Sequence, residues 1–335
     1  MRLIKFLVVS ILLLAILAMS LGLWWLHRPL GLPAGASEDK PLGVEIPAGS
    51  SAQAAAERLS EAGVGAPAVL LYAWFRFSGE SRGIKAGYYE IAPGTTPREL
   101  LGKLVRGEQA LVNVLIVEGW TARQAIDTLR QSPDLSQDIE GLSGEQIMAR
   151  IELPGQHIEG RFFPDTYRVP KRTPVSAVLR QAARAMDLRL AEAWAQRSPN
   201  GPLRTPEEAL VLASIVEKET GLASDRGRIA GVFTNRLRIG MRLQTDPSVI
   251  YGAGDGYAGN LQRRHLDTDT AYNTYTRAGL PPTPISLPGM ASLMAAVRPS
   301  PTNALYFVSR GDGSSQFSAT LDEHNAAVRR YILRR

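Results

Sequence analysis

The 335-residue chain contains no cysteine. That absence excludes a disulfide framework, a thiol nucleophile, a cysteine-based zinc site and a lipid-modified N-terminal cysteine. Histidine is scarce too. His27, His157, His265 and His324 are scattered and form no HExxH pair, so metal-assisted hydrolysis finds no ligand set in the sequence. Aromatic residues make up only 7% of the chain. The net charge of +6 is mild; it suits an anionic polymer or a membrane surface and proves neither. Nucleic-acid binding would rest on short basic runs such as Arg263-Arg264, and an exported body argues against it.

What is present starts with one long apolar run. Phe6 to Leu26 carries no charge and, as a helix, would span roughly 30 Å, one bilayer core. Arg2 and Lys5 precede it, which holds the N-terminus in the cytoplasm, and Trp24 and Trp25 stand where an aromatic belt belongs. Ala18-Met19-Ser20 resembles a signal-peptide cleavage site. The run continues six residues past it, so an uncleaved anchor over 1–28 is expected, with the rest of the chain exported.

Residues 29–41, rich in Pro, Gly and small polar side chains, read as a linker. A small α/β module follows over 42–109, with a strand at Val44–Ile46, helices at Ser51–Ala62 and Pro67–Phe77, a strand at Ala86–Ile91, a Pro93-Gly94 turn and a helix to Arg106. Its strand–turn–helix looks like a LysM-type module, a small fold associated with glycan binding. The remainder, 110–335, reads as one larger domain, and the expected class is α+β.

That larger domain is organised around Thr205–Gly252. Thr205 can N-cap, Pro206 suits the first helical position, and Glu208 completes a capping box. Ala209 to Val216 then has Ser214 as its only polar side chain, so the helix should be wrapped in protein. At its C-terminal end stand Glu217, Lys218, Glu219 and Thr220. The helix dipole and partial burial both raise a carboxyl pKa there, which is what a general acid needs at neutral pH. Glu217 and Glu219 lie about 200° apart on the helix and cannot share a face. Both stripes are mostly apolar, so periodicity leaves the two tied. Ser224 reads as the cap of the next helix and Asp246-Pro247 as a turn signal.

Two polar-aromatic clusters complete the pattern. Ile158 to Pro170 gathers Phe162, Phe163, Pro164 and Tyr167 around Glu159 and Asp165. Thr270 to Gly289, an extended loop with four prolines, holds Tyr272, Asn273, Tyr275 and Arg277, a mixture suited to stacking on sugar rings and bonding their hydroxyls.

The runs "ASIVEKET", "VFTNRLRIGMRLQTDPSVIYG", "TAYNTYTRAGLPPTPI" and "LYFV", with "EGRFFPDTY" upstream, resemble the YceG-like (MltG) family of endolytic murein transglycosylases. The resemblance runs from the anchor to the final helix. It implies a lytic transglycosylase needing no cofactor. Such an enzyme cuts the β-1,4 bond between N-acetylmuramic acid and N-acetylglucosamine and leaves a 1,6-anhydro end. It further implies an inner-membrane anchor with a periplasmic body. The partners it implies are nascent peptidoglycan strands and the synthases that make them. It selects Glu219 as the single acid and base. Glu217 is then expected to orient a neighbour or pair with an arginine such as Arg236. Gln244, Thr245, Asp246, Tyr251, Asn273 and Tyr275 are expected at the subsites, with Glu159 and Asp165 as wall or outer support. Two rivals stand beside this reading. One is a hydrolase pairing Glu219 with Asp165 or Glu159; the other is a non-catalytic, membrane-tethered peptidoglycan-binding scaffold.

Overall fold

A computed structural model of the chain describes residues 2–254, 257 and 259–333. The architecture is mixed α+β, and the chain divides into two units, Met1–Val112 with Arg168–Arg172, and Asn113–Tyr167 with Thr173–Arg335.

The first unit begins with α1 (Arg2–Leu26). None of its stretch Ile4–Leu26, of mean hydropathy 2.8, is buried, and it is the one helix among the described residues long and apolar enough to cross a membrane. Then come β1 (Leu42–Ile46), α2 (Ala52–Glu61), α3 (Ala68–Phe77), β2 (Gly87–Ile91) and α4 (Pro97–Arg106). β1 and β2 pair antiparallel, with Val44 opposite Tyr89. Period-2 alternation buries Val44 and Ile46 and leaves Glu45 exposed. These strands share a core with Leu59, Leu71, Phe75, Leu100 and Leu104. Thr96 and Glu99 form a reciprocal capping box on α4, which ends at Gly107 in the left-handed conformation a side chain would disfavour.

The stretch read as a linker is tied down at its start. The Leu30 N–H donates to the Thr95 carbonyl at 2.8 Å, and the Gly65 N–H to the Gly31 carbonyl at 2.6 Å. The Leu30 side chain is buried in the core. Pro/Gly content signalled an absence of regular structure there, but one leucine with a hydrophobic pocket is enough to fix the backbone.

The second unit is mostly helical. The β3 (Leu111–Leu115) and β4 (Thr166–Pro170) strands pair as a two-stranded ribbon. Between them lie α5 (Ala122–Arg130) and α6 (Gly144–Arg150). The helices α7 (Val175–Ala195), α8 (Pro206–Glu219), α9 (Ala223–Arg238), α10 (Asp246–Ala253), α11 (Arg263–Asp267) and α12 (Met290–Val297) follow. A hairpin of β5 (Tyr306–Ser309) and β6 (Ser315–Ser318) leads to α13 (Leu321–Tyr331).

Helix α8 packs against α7, α9, α10 and α12, and every residue from Ala209 to Val216 is buried. The single hydroxyl in that run is satisfied. Ser214 Oγ donates to the Val211 carbonyl at 2.7 Å and accepts the Ile285 N–H at 3.0 Å. This pins the proline-rich loop to the helix.

Three local readings change. Thr205 Oγ1 accepts the Glu208 N–H, but Glu208 returns its bond to the Arg204 N–H, so the box is not reciprocal. No side chain caps α9; Ser224 lies inside it, and the Leu222 N–H goes to Thr220 Oγ1 instead. Asp246-Pro247 opens α10 rather than a free turn, because proline is as well suited to a first helical turn as to a bend.

Candidate active site

The last turn of α8 points three consecutive side chains toward three cavities. Glu217 lines one of about 530 Å³ with Glu118 and Arg226. Lys218 borders both that cavity and one of about 740 Å³ that holds Glu159, Tyr251 and Tyr272. Glu219 lines a third, of about 440 Å³, with Arg236, Gln244, Asp246, Tyr275, Tyr306, His324 and Asn325. The 100° step between helical neighbours produces this fan, and it separates the two carboxylates that periodicity left tied.

Glu219 is the last helical residue, and Thr220 is extended. Thr245 donates its hydroxyl to Glu219 Oε1. Thr245 stands at the N-cap of α10 yet caps nothing, since its hydroxyl is committed to the carboxyl. Its backbone is clamped by Thr274, whose Oγ1 accepts the Thr245 N–H at 3.0 Å. Burial pushes the Glu219 carboxyl up to about 7; the Thr245 hydroxyl opposes that, the like charge of Asp246 adds to it, and Arg236 opposes it. A carboxyl in that range is half protonated at neutral pH.

Asp246 accepts the Tyr275 hydroxyl at 2.6 Å. Gln244 holds a left-handed backbone, φ +50°, its N–H tied to the Thr274 carbonyl at 3.1 Å. Such a conformation in a non-glycine residue costs on the order of 1–3 kcal/mol and collects at functional sites. Arg236 is buried and spends its donors on the carbonyls of Leu305, Arg242 and Leu243. It therefore frames the cavity and does not pair with Glu217. Glu217 instead accepts the Gly289 N–H at 3.0 Å and lies 3.8 Å from Arg226.

The second expected carboxylate region is built differently. Glu159 is 4% exposed. Its Oε1 accepts the Ala122 N–H at the start of α5 at 2.9 Å, and its Oε2 accepts the Tyr251 hydroxyl at 3.1 Å. Burial raises it to about 7 against those bonds. Tyr251 meets Tyr272 edge-on at 4.9 Å. Asp165 belongs to neither the Glu159 nor the Glu219 cavity; it is exposed, and its Oδ1 accepts the N–H of Thr166.

Asn273 is fully buried. Its amide donates to the carbonyls of His265, Leu266 and Thr268, and its Oδ1 accepts the Tyr275 N–H at 2.8 Å. With every donor and acceptor occupied, Asn273 sets the loop that presents Tyr275 and has nothing left for a ligand. Arg277 is likewise committed, to Asp269.

Sequence reasoning missed the contribution of α13 and β5. Tyr306 stacks on His324 with centroids 5.2 Å apart, and both line the Glu219 cavity with Asn325. His324 Nδ1 is buried without a hydrogen-bond partner among the described residues. The only signal was a polar His-Asn pair on an otherwise ordinary amphipathic helix some 100 residues from Glu219, and nothing local to either segment announces that they meet.

A model of the YceG-like family matches residues 44–330. The chain is 31% identical over 313 residues to an endolytic murein transglycosylase of Bacillus subtilis, covering 86% of this chain and 84% of that protein. It is 28% identical over 339 residues to the protein of the same name from Streptococcus pneumoniae, covering 90% of this chain and 60% of that one. It is also similar to the crystal structure of a YceG-like protein from Listeria monocytogenes, with a TM-score of 0.54 at 29% identity, over 85% of this chain and 98% of that one.

Proposed function

Because the chain belongs to the YceG-like family, we propose that it is a lytic transglycosylase acting within peptidoglycan strands, with Glu219 as its one proton donor and acceptor. The observation that carries the reading is the Glu219 carboxyl itself, raised to about 7 and held by Thr245 at the rim of a polar cavity. In the protonated form Glu219 gives its proton to the glycosidic oxygen between N-acetylmuramic acid and N-acetylglucosamine. The C1–O bond breaks and the glucosamine leaves as an alcohol. The Glu219 carboxylate then takes the proton of the muramic 6-hydroxyl, O6 closes on C1, and the carboxyl is restored with no water consumed. Asp246, beside it, supplies negative charge against the positive charge that develops at C1. Gln244, Tyr275, Tyr306, His324 and Asn325 form the wall the sugar meets.

The α1 helix serves as a single-pass anchor in the inner membrane, its start cytoplasmic by the charge of Arg2 and Lys5, and the body faces the cell wall. The strand–helix–helix–strand order of β1, α2, α3 and β2 supports a LysM-like reading of the first unit and a glycan-binding role. Nascent, uncrosslinked strands are the substrate, and peptidoglycan synthases the neighbours.

Mass spectrometry of fragments released from purified glycan strands by the full chain in detergent tests this. Anhydro-muramic ends that disappear with Glu219→Gln are expected. Reducing ends would replace the reading with a hydrolase in which Asp246, the carboxylate sharing the Glu219 cavity, acts as second group. Strand binding without products would leave only the scaffold.

A further inference from the structure

The α3 helix is apolar on two sides. Leu71 and Phe75 enter the core of the first unit, yet Val69 is 76% exposed, Leu70 49% and Phe77 88%. At 100° per residue Val69, Leu70, Ala73, Arg76 and Phe77 fall on one stripe opposite Leu71 and Phe75. With Ala73 between them, Val69, Leu70 and Phe77 make an apolar stripe along the helix, and a contiguous exposed apolar surface is the feature that marks an interaction site.

The first unit also specifies what covers it. The α1 helix ends at Leu26, and five residues later Gly31 pairs with Gly65, three residues ahead of α3. Five residues span at most about 18 Å, so Gly31 and the Gly65 paired with it stay within that distance of the end of the apolar helix. Trp25 packs against the core of the unit, Leu30 is buried in it, and the Arg28 guanidinium lies 4.1 Å over the Trp24 ring. The anchor therefore enters the unit through fixed side chains and not through a floating tether. Arg76 sits within the exposed stripe and is exposed, the arrangement of an interfacial helix whose cation meets anionic headgroups while its apolar side chains enter the acyl boundary.

We propose that α3 lies in the outer interface of the same bilayer that α1 crosses, with Val69, Leu70 and Phe77 embedded, so that the first unit is a membrane-seated platform. The occupant is the lipid surface, argued from continuity with the anchor.

The cysteine-free chain allows a clean test. Leu70→Cys and Phe77→Cys, with Glu207→Cys on α8 as an aqueous reference, each carry an environment-sensitive fluorophore in the full chain, reconstituted singly into nanodiscs containing anionic lipid. The labels at 70 and 77 should emit to the blue of the label at 207. They should also be quenched at least about twofold more by nitroxide-bearing lipid, and less by aqueous iodide. Iodide quenching equal to that at 207 overturns the proposal. Protection from both quenchers also overturns it, and assigns the stripe to a protein contact. Because each position is exposed, the substitutions leave the core untouched, and unchanged glycan-strand cleavage confirms folding.

Discussion

Glu219 and Glu159 are both raised to about 7, and in both the main cause is burial. Their oxygens are used differently. Glu159 has both engaged, one by a helix N-terminus and one by the Tyr251 hydroxyl, at 4% exposure. Glu219 has one engaged by Thr245, and its Oε2 has no hydrogen-bond partner among the described residues. Each is opposed by a cation, Arg236 for Glu219 and Lys218 for Glu159, but only Glu219 has a like charge, Asp246, that adds to its shift. A raised proton affinity accordingly does not by itself single out the proposed acid. An oxygen left open toward a cavity does, because a proton can only be delivered from an atom that a substrate can reach.

The largest effect that sharpens this contrast is on turnover. Glu219→Gln should lower the rate of strand cleavage by at least about a thousandfold, while Glu159→Gln lowers it by less than about tenfold. Equal losses would erase the distinction drawn from the oxygens. Asn273→Ala comes next. It removes four hydrogen bonds from a fully buried side chain and should cost roughly 3 kcal/mol, read as a fall in the urea midpoint. If stability holds while strand binding collapses, Asn273 is a sugar ligand after all.

Much of this architecture was legible beforehand because local signals coincided. The apolar run of α1, the buried body of α8 and the strand, Pro93-Gly94 turn and helix from β2 to α4 each carry their own pattern. The choice between Glu217 and Glu219 was not legible from periodicity, since both continue apolar stripes. It depends on whether Gly289 with Arg226 or Thr245 with Asp246 faces each one, and those partners lie elsewhere in the chain. Asn273 illustrates a related point. A polar residue in a loop looks like a ligand until its bonds to neighbouring carbonyls are seen. Tyr306 and His324 reach the cavity only through the packing of the β5–β6 hairpin and α13, a long-range event without a local mark.

Glu159 makes a second prediction through stability. Its folded pKa, about 7, lies above the ordinary carboxylate value of 4.5, so between those two values the folded state binds more protons than the unfolded one. Stability therefore falls as pH rises from about 4.5 to about 7 and then levels off, by on the order of 3 kcal/mol for this group. Glu159→Gln removes that slope. Melting curves of the two proteins should diverge in favour of the variant as pH increases; parallel curves would mean that Glu159 is solvated.

The smallest effect is the most specific to Glu219. Burial raises its pKa most, and on top of that a hydroxyl that favours the charged form opposes a neighbouring carboxylate that disfavours it. The acid must be protonated to start the reaction, so kcat/KM should fall above about pH 7 in the native enzyme. Asp246→Asn takes away the like charge and should move that basic limb downward by a fraction of a pH unit. Thr245→Val takes away the hydrogen bond and should move it upward by a similar fraction. Opposite displacements of one limb cannot come from general loss of structure, which lowers the whole profile without moving it. Two displacements of the same sign would mean that the titrating group is not Glu219.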